Sequence, residues 1–246
     1  MKVYNVEQGT PAWMALRAGI PTASEFHRFI TPAKLERSKS ESHYMARLLA
    51  ERITGRPIEE TDGEGYQSPW MKRGSDIESQ AISAYQFETD CEVTRVGFCT
   101  TDDGLVGASP DGLILAAHSG GLEMKSPSLA VHVEYLLNPQ ALVNEYRLQC
   151  YGQLLVGEGC LNWVDLVSYH PKLPLVVVRL NPYFEPMGKV KAAVSVFCQD
   201  LAAAYKRLEA QHGPFTPTVP AQGIASGLSA EDEELIVRGL REQGRL

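Results

Sequence analysis

Asp111, Glu123 and Lys125 are the residues whose types and spacing offer the clearest chemistry in this chain. Asp111 sits in Ser109-Pro110-Asp111-Gly112, and Glu123 and Lys125 in Leu122-Glu123-Met124-Lys125. Two carboxylates brought together repel, and one of them tends to hold a proton. A hard divalent cation such as Mg²⁺ removes that conflict, because it takes oxygen ligands and keeps some of its waters. An ammonium beside the pair can stabilise an attacking hydroxide or a phosphoryl transition state.

These residues need two short strands to position them. Leu122 to Ser126 alternates apolar and charged side chains, the period of a half-buried strand. Leu122 and Met124 then face a core, while Glu123 and Lys125 share the opposite face. Gly112 to Ala116 reads as a second strand, with Gly120-Gly121 at the bend between them. If the two strands pair, Asp111 lies near Glu123 and Lys125. Either half alone also reads as an ordinary turn or a strand with a wet face. The two halves at hairpin spacing weaken that plainer reading.

Further polar residues stand where a plain fold does not require them. After Thr10-Pro11, a helix start, Trp13, Leu16 and Arg17 share one helical face. Arg17 in that stripe either lays its stem along the core or binds an anion. Thr22-Ala23-Ser24-Glu25 reads as a capping box whose helix start would seat a phosphate, with Ser24 adding a hydroxyl. Glu78 falls inside the apolar stripe Trp70, Gly74, Ile77, Ala81, Ile82, Tyr85, where a carboxylate requires a metal or a partner such as an arginine. Tyr146, Gln149 and Gln153 share a helical face, and in isolation the glutamines read as solvent-facing. His170 reads as a loop residue.

The chain has 246 residues and a formal net charge of -7, with 44% hydrophobic residues, enough for a real core. An acidic total argues against a nucleic-acid partner, but the stretch holding Arg28, Lys34, Arg37, Lys39, Arg47, Arg52 and Arg56 is basic. A basic channel on an acidic body accommodates both. The five cysteines are odd in number and unpaired in pattern, which fits reduced thiols in a cytosolic protein rather than a zinc site. No apolar run is long enough for a membrane span, and no signal-peptide core is evident.

In chain order the pattern predicts helices over 42–54, ended by Gly55, and from Ser68-Pro69 to about Phe87. An acid-rich loop separates them. A strand follows over 91–100, then Gly104 to Ala108 leads into the central hairpin. A helix spans 139–156, strands span 162–169 and 174–180, and a long amphipathic helix spans 182–211. Residues 1–212 form one unit. Residues 213–246 read as a linker followed by a short helix over 229–241, with Leu235, Ile236 and Leu240 as an apolar patch.

Taken together and in order, these motifs resemble the lambda-exonuclease type of phage recombination nuclease, the YqaJ-like viral recombinase family. The resemblance covers roughly residues 5 to 210 and rests on Gln8-Gly9 with Trp13 and Arg17, Gly19 with Thr22 to Glu25, Gly74 with Glu78, Ser109 to Gly112, Leu122 to Lys125, and Tyr146 with Gln149. It implies a mixed α/β, PD-(D/E)XK restriction-endonuclease-like core, a central mixed β-sheet flanked by helices.

The resemblance also implies roles. Asp111, Glu123 and the Met124 carbonyl match metal ligands, and Glu78 an acidic residue near a second metal. Lys125 and Gln149 match catalytic positions. Arg17, Ser24 and Ser109 match a pocket for a DNA 5′-phosphate. Met71 falls at an apolar wedge and Lys34 in a DNA-facing loop. The implied activity is Mg²⁺-dependent, with Mn²⁺ as a possible substitute. It is 5′→3′ degradation of one strand of linear duplex DNA to mononucleotides, leaving a 3′ overhang. A ring-shaped homotrimer, a single-strand annealing partner and a cytoplasmic site of action, phage- or prophage-encoded, come with it. The acidic run before Trp70 and the tail after Gly213 depart from the pattern. The alternatives are an endonucleolytic or structure-specific nuclease on the same fold, and a catalytically silent DNA-end binder.

Overall fold

The computed structural model describes residues 1–58, 69–115, 119–182 and 185–215, with the backbone alone for 69–76 and 185. The predicted tail helix over 229–241 and the acidic run before Trp70 lie outside the described residues.

The predicted central hairpin is present. β4 (Gly112–Ile114) pairs antiparallel with β5 (Gly120–Lys125), with Gly112 opposite Leu122 and Ile114 opposite Gly120. β5 pairs in parallel with β6 (Trp163–Ser168), and β6 pairs antiparallel with β7 (Val176–Leu180). The result is a mixed four-stranded sheet in the order β4-β5-β6-β7. A parallel neighbour requires a crossover, and α4 (Leu129–Leu137) and α5 (Pro139–Val156) supply it.

A smaller three-stranded sheet, β1-β2-β3, joins Lys2–Tyr4, Phe98–Thr100 and Gly107–Ala108. The strand predicted over 91–100 is thus realised only at its end. Before Phe98 the chain presses against the N-terminal segment, and a side chain at Gly97 would stand 1.8 Å from the Val6 carbonyl oxygen. Only a single bridge, Thr94 to Leu113, continues the pairing upstream.

The remaining helices are α1 (Pro11–Arg17), α2 (Glu41–Thr54), α3 (Pro69–Thr89) and α6 (Glu185–His212). α1 starts as predicted, with Thr10 capping the Trp13 N–H and proline at the first turn. The helix predicted from Thr22 is a 3₁₀ segment, Ala23–Arg28, and Thr22 makes no side-chain cap. Glu25 does not complete a capping box; its carboxylate binds Arg28 and Arg47 instead.

Strand β5 divides the core in two. Leu122 and Met124 face α3, packing with Ala81, Ile82, Tyr85 and Trp163. The other face packs α5 and, beyond it, α2 and α6, where the Phe29 and Phe197 rings stack at 4.2 Å. On the α3 face Asp165 of β6 is 1% exposed. It accepts from Tyr85 Oη at 2.6 Å and from Arg179 Nε and Nη2, both at 2.8 Å. Arg179 in turn lies over Trp163, 3.7 Å from the ring centroid. A buried carboxylate with three donors is satisfied, so this network fastens α3 to the sheet.

Much of the basic stretch between Arg28 and Arg56 is internally paired rather than displayed as a channel. Arg28 binds Glu25, Arg37 binds Glu41 and Asp200, and Arg47 binds Glu25. Lys34 and Lys39 are exposed. Among the described residues no helix is long and apolar enough to cross a membrane.

Candidate active site

The register of β4 and β5, continued one residue back from Gly112, sets Asp111 level with Glu123. Asp111 takes a backbone bond to the Leu122 carbonyl at 3.0 Å, and its Oδ2 accepts from the Met124 N–H at 2.6 Å. The N–H and C=O of one strand residue point to the same side, so the Met124 carbonyl also faces the edge where β4 has ended. Asp111, Glu123 and that carbonyl therefore meet at one end of the hairpin.

Glu123 is 2% exposed and heavily gripped. Its Oε1 accepts from Lys125 Nζ at 2.6 Å and from Gln149 Nε2 at 2.6 Å. Its Oε2 accepts from Gln153 Nε2. Lys125 also donates to Gln149 Oε1 at 3.1 Å and sits 4.5 Å from the Tyr146 ring centroid. The two glutamines thus face the sheet, not solvent as their spacing alone indicated. α5 is buried almost continuously from Leu148 to Val156, so its polar residues have no wet face to occupy.

Burial pushes both Asp111 and Glu123 above the usual carboxylate range. Asp111 is raised further by the Glu123 charge, while Lys125 pulls both back. Burial would lower Lys125, but the Glu123 carboxylate outweighs it, and the ammonium ends above its ordinary value. Two buried carboxylates and a backbone carbonyl form a set of hard oxygens with excess negative character, which is what Mg²⁺ or Mn²⁺ requires. The residues present fit such an ion.

Glu78 lies outside this pair. It is on α3, 40% exposed, and paired to Arg95 at 3.6 Å, so it is neither buried nor without a partner. Its charge still raises Asp111 and Glu123. Among the described residues no three His, Cys, Asp or Glu side chains gather closely enough to hold a metal between them.

The structure also brings together Arg17, Ser24 and Ser109, the residues expected to hold a phosphate. Arg17 Nη1 donates to Ser109 Oγ at 3.1 Å, and Nη2 reaches Thr22 Oγ1 and Ser24 Oγ, each at 3.4 Å. The guanidinium stacks on Trp13 at 4.1 Å, and Trp13 Nε1 donates to Ser109 Oγ and the Gly97 carbonyl, both at 3.0 Å. So the Arg17 guanidinium lies over an aromatic ring while its nitrogens reach hydroxyls. Burial lowers its pKa, a penalty on the cation that an incoming anion offsets. The loop leading in is held at Gly19 (φ +75°), where Glu51 accepts its N–H at 2.8 Å and Arg52 Nε donates to its carbonyl at 2.7 Å. A side chain there would strike Arg52 Cγ at 2.5 Å.

Two contributors went unread as functional. Gln8 donates to the Pro110 and Val96 carbonyls at 3.1 and 3.2 Å, tying down the chain before Asp111. Gln153 is the other; its place on the Gln149 face was visible, but not the side that face meets. Lys34 is exposed and apart from the carboxylates, and the Met71 side chain lies outside the described residues.

The model of the YqaJ-like viral recombinase domain matches residues 12–159, which include every residue of both sites just described except Gln8. This chain belongs to that family. Among solved structures, the chain is similar to an alkaline exonuclease (LHK-Exo) from Laribacter hongkongensis, at 29% identity and a TM-score of 0.67, over 82% of this chain and 97% of that one. The same exonuclease in complex with dAMP matches at 28% identity, the same TM-score and the same coverage. A phage related exonuclease from Haemophilus somnus 129PT shares the fold at 14% identity and a TM-score of 0.55, over 78% of this chain and 96% of that one. No individually curated protein is similar enough to be matched. The fold is thus that of a YqaJ-like domain, a mixed sheet flanked by helices.

Proposed function

We propose that this YqaJ-like domain is a Mg²⁺-dependent exonuclease that degrades one strand of linear duplex DNA from its 5′-phosphorylated end. One observation carries the reading. Ser109 belongs to the Arg17 pocket and Asp111 to the carboxylate pair, with only Pro110 between them. Two residues of extended chain span at most about 7 Å, the scale of a single nucleotide step. An end phosphate seated on Arg17 therefore brings the next phosphodiester toward Asp111 and Glu123.

Asp111, Glu123 and the Met124 carbonyl would hold one ion, and Glu78 would stand near a second. The bound metal supplies Lewis acidity and charge neutralisation at the scissile phosphate. Arg17, Ser24 and Ser109 hold the end phosphate and fix the reacting group in register. Lys125, kept protonated by Glu123, acts as a cationic donor that orients the attacking water and meets charge as it builds. Gln149 bridges the two and keeps the ammonium aimed. Water oxygen bonds to phosphorus, the bond to the 3′ oxygen breaks, and that oxygen takes up a proton. Each cut releases a mononucleotide and leaves a fresh 5′-phosphate, the end that the Arg17 pocket accepts. A 29%-identical relative named as an exonuclease, and its complex with dAMP, support this product class.

The same reading includes a 3′ overhang passed to a single-strand annealing protein, a ring-shaped homotrimer around the duplex, and action in the cytoplasm of a bacterial host. Membership in a viral recombinase family supports the recombination role.

The test is a linear duplex with a 5′-phosphate on one strand and a 5′-hydroxyl on the other, both labelled, incubated with Mg²⁺ or with EDTA. The expected result is metal-dependent loss of the phosphorylated strand from its 5′ end, with a closed circle left intact. Equal attack on both strands would remove the Arg17 pocket from the reading. Ends bound but undigested would replace the nuclease with a silent end binder.

A further inference from the structure

We propose that Gln153 is a positioning residue for the metal-holding carboxylate, and that Gly121 is glycine because the Gln153 amide needs the space. The proposal rests on the reading of Glu123 as a metal ligand.

The two oxygens of Glu123 are held from different places. Oε1 has two donors, Lys125 and Gln149. Oε2 accepts from Gln153, one helical turn further along α5. Without Gln153 the carboxylate keeps both remaining donors on one oxygen and is free to turn about them. Gln149 is committed to Oε1, its Nε2 donating there while its carbonyl accepts from Lys125.

The cost of this arrangement is visible. Gln153 is 2% exposed, and among the described residues its buried Oε1 has no hydrogen-bond partner. Turning the amide over would not help, since its carbonyl would then face the carboxylate. A leucine or methionine would fill the same volume with no orphaned acceptor. A polar group held at such cost in a core calls for a purpose beyond packing. Gly121, across the sheet face, leaves the amide room: a Cβ there would stand 3.0 Å from Gln153 Oε1 and 3.1 Å from Val164 Cγ2. An alanine would be caught between them and would push the amide off its place. Groups that hydrogen-bond a ligating carboxylate set its orientation and the affinity of the site.

The experiment measures Mn²⁺ binding to the DNA-free protein by calorimetry and by the Mn²⁺ paramagnetic resonance spectrum, for the wild type, Gln153→Met, Gly121→Ala and Glu123→Ala, with thermal melting as the folding control. Gln153→Met is expected to melt like the wild type and to bind Mn²⁺ about 10–100-fold more weakly, with exonuclease turnover recovering at high metal concentration. Gly121→Ala is expected to weaken binding in the same direction. If Glu123→Ala binds Mn²⁺ like the wild type, the metal-site reading itself fails. If Glu123→Ala loses binding while Gln153→Met retains wild-type affinity, the positioning role alone fails. Should Gln153→Met not fold, Gly121→Ala decides: undiminished affinity overturns the proposal.

Discussion

Lys125 donates to Glu123, two residues before it on the same strand, at 2.6 Å. The pair shares a face because strand side chains repeat every second residue. The contact keeps the ammonium charged and offsets the charge of the carboxylate. Lys125→Met should lower turnover on 5′-phosphorylated duplex by about 10²–10⁴-fold while leaving end binding intact. Single-turnover digestion alongside a gel-shift assay of the same variant checks this.

In the proposed mechanism Arg17 reads the end rather than the bond to be cut. Arg17→Ala should therefore erase the preference for 5′-phosphate over 5′-hydroxyl ends, a loss of roughly 10–100-fold if the lost contact is worth the 1.5–3 kcal/mol of a charged hydrogen bond. Residual cleavage of hydroxyl ends should be unchanged. Competition between the two labelled ends in one reaction measures it.

Tyr85 fastens α3 to Asp165 through a fully buried contact. Tyr85→Phe should cost about 1–2 kcal/mol of stability, the loss of one hydrogen bond to a charge. Asp165→Ala should cost more than Tyr85→Phe, because it removes the acceptor of the buried tyrosine hydroxyl and of the half-exposed Arg179 together. Urea unfolding of the metal-free protein provides the comparison.

Stability should fall as the solution is made alkaline. Burial raises the Cys99 thiol to about 12 and the Cys198 thiol to about 11, from 9.0, and the Tyr135 phenol to about 12 from 10.0. Between those limits the folded chain holds protons that the unfolded chain has released, so the slope of stability against pH is negative there. These groups contribute no change below about pH 9, and stability declines through pH 11 and above. Melting temperatures over that range, with EDTA present, test the sign.

The hairpin was legible because Leu122 to Lys125 states its period and Gly120-Gly121 states its bend. Its register was not, and only the observed pairing sets Asp111 level with Glu123. Arg17 was legible as an oddity within an apolar stripe, and in the structure its guanidinium lies over the Trp13 ring and reaches the Ser109 hydroxyl. Spacing alone turned the glutamines toward solvent, because α5 is buried nearly all round and a helix without a wet side gives no amphipathic signal, whereas the family resemblance had set Gln149 beside Lys125. Glu78 is less buried than its place in the stripe indicated, and it has the arginine partner offered as one of its two explanations, Arg95. The capping-box letters at Thr22 to Glu25 could not foretell that Arg28 and Arg47 would claim the glutamate. No element was assigned over 129–137, where α4 forms between Pro127 and Pro139.

Gly19 is held by both of its backbone polar groups, each by a side chain of α2. The loop that follows Arg17 thus hangs from α2, whose Glu41 shares Arg37 with Asp200 of α6, while Asp111, Glu123 and the glutamines belong to the hairpin and α5. The Arg17 loop and the carboxylate pair lean on different helices and meet where Ser109 leads through Pro110 to Asp111. A change in α2 or its supports would move the first and reach the second through that short link.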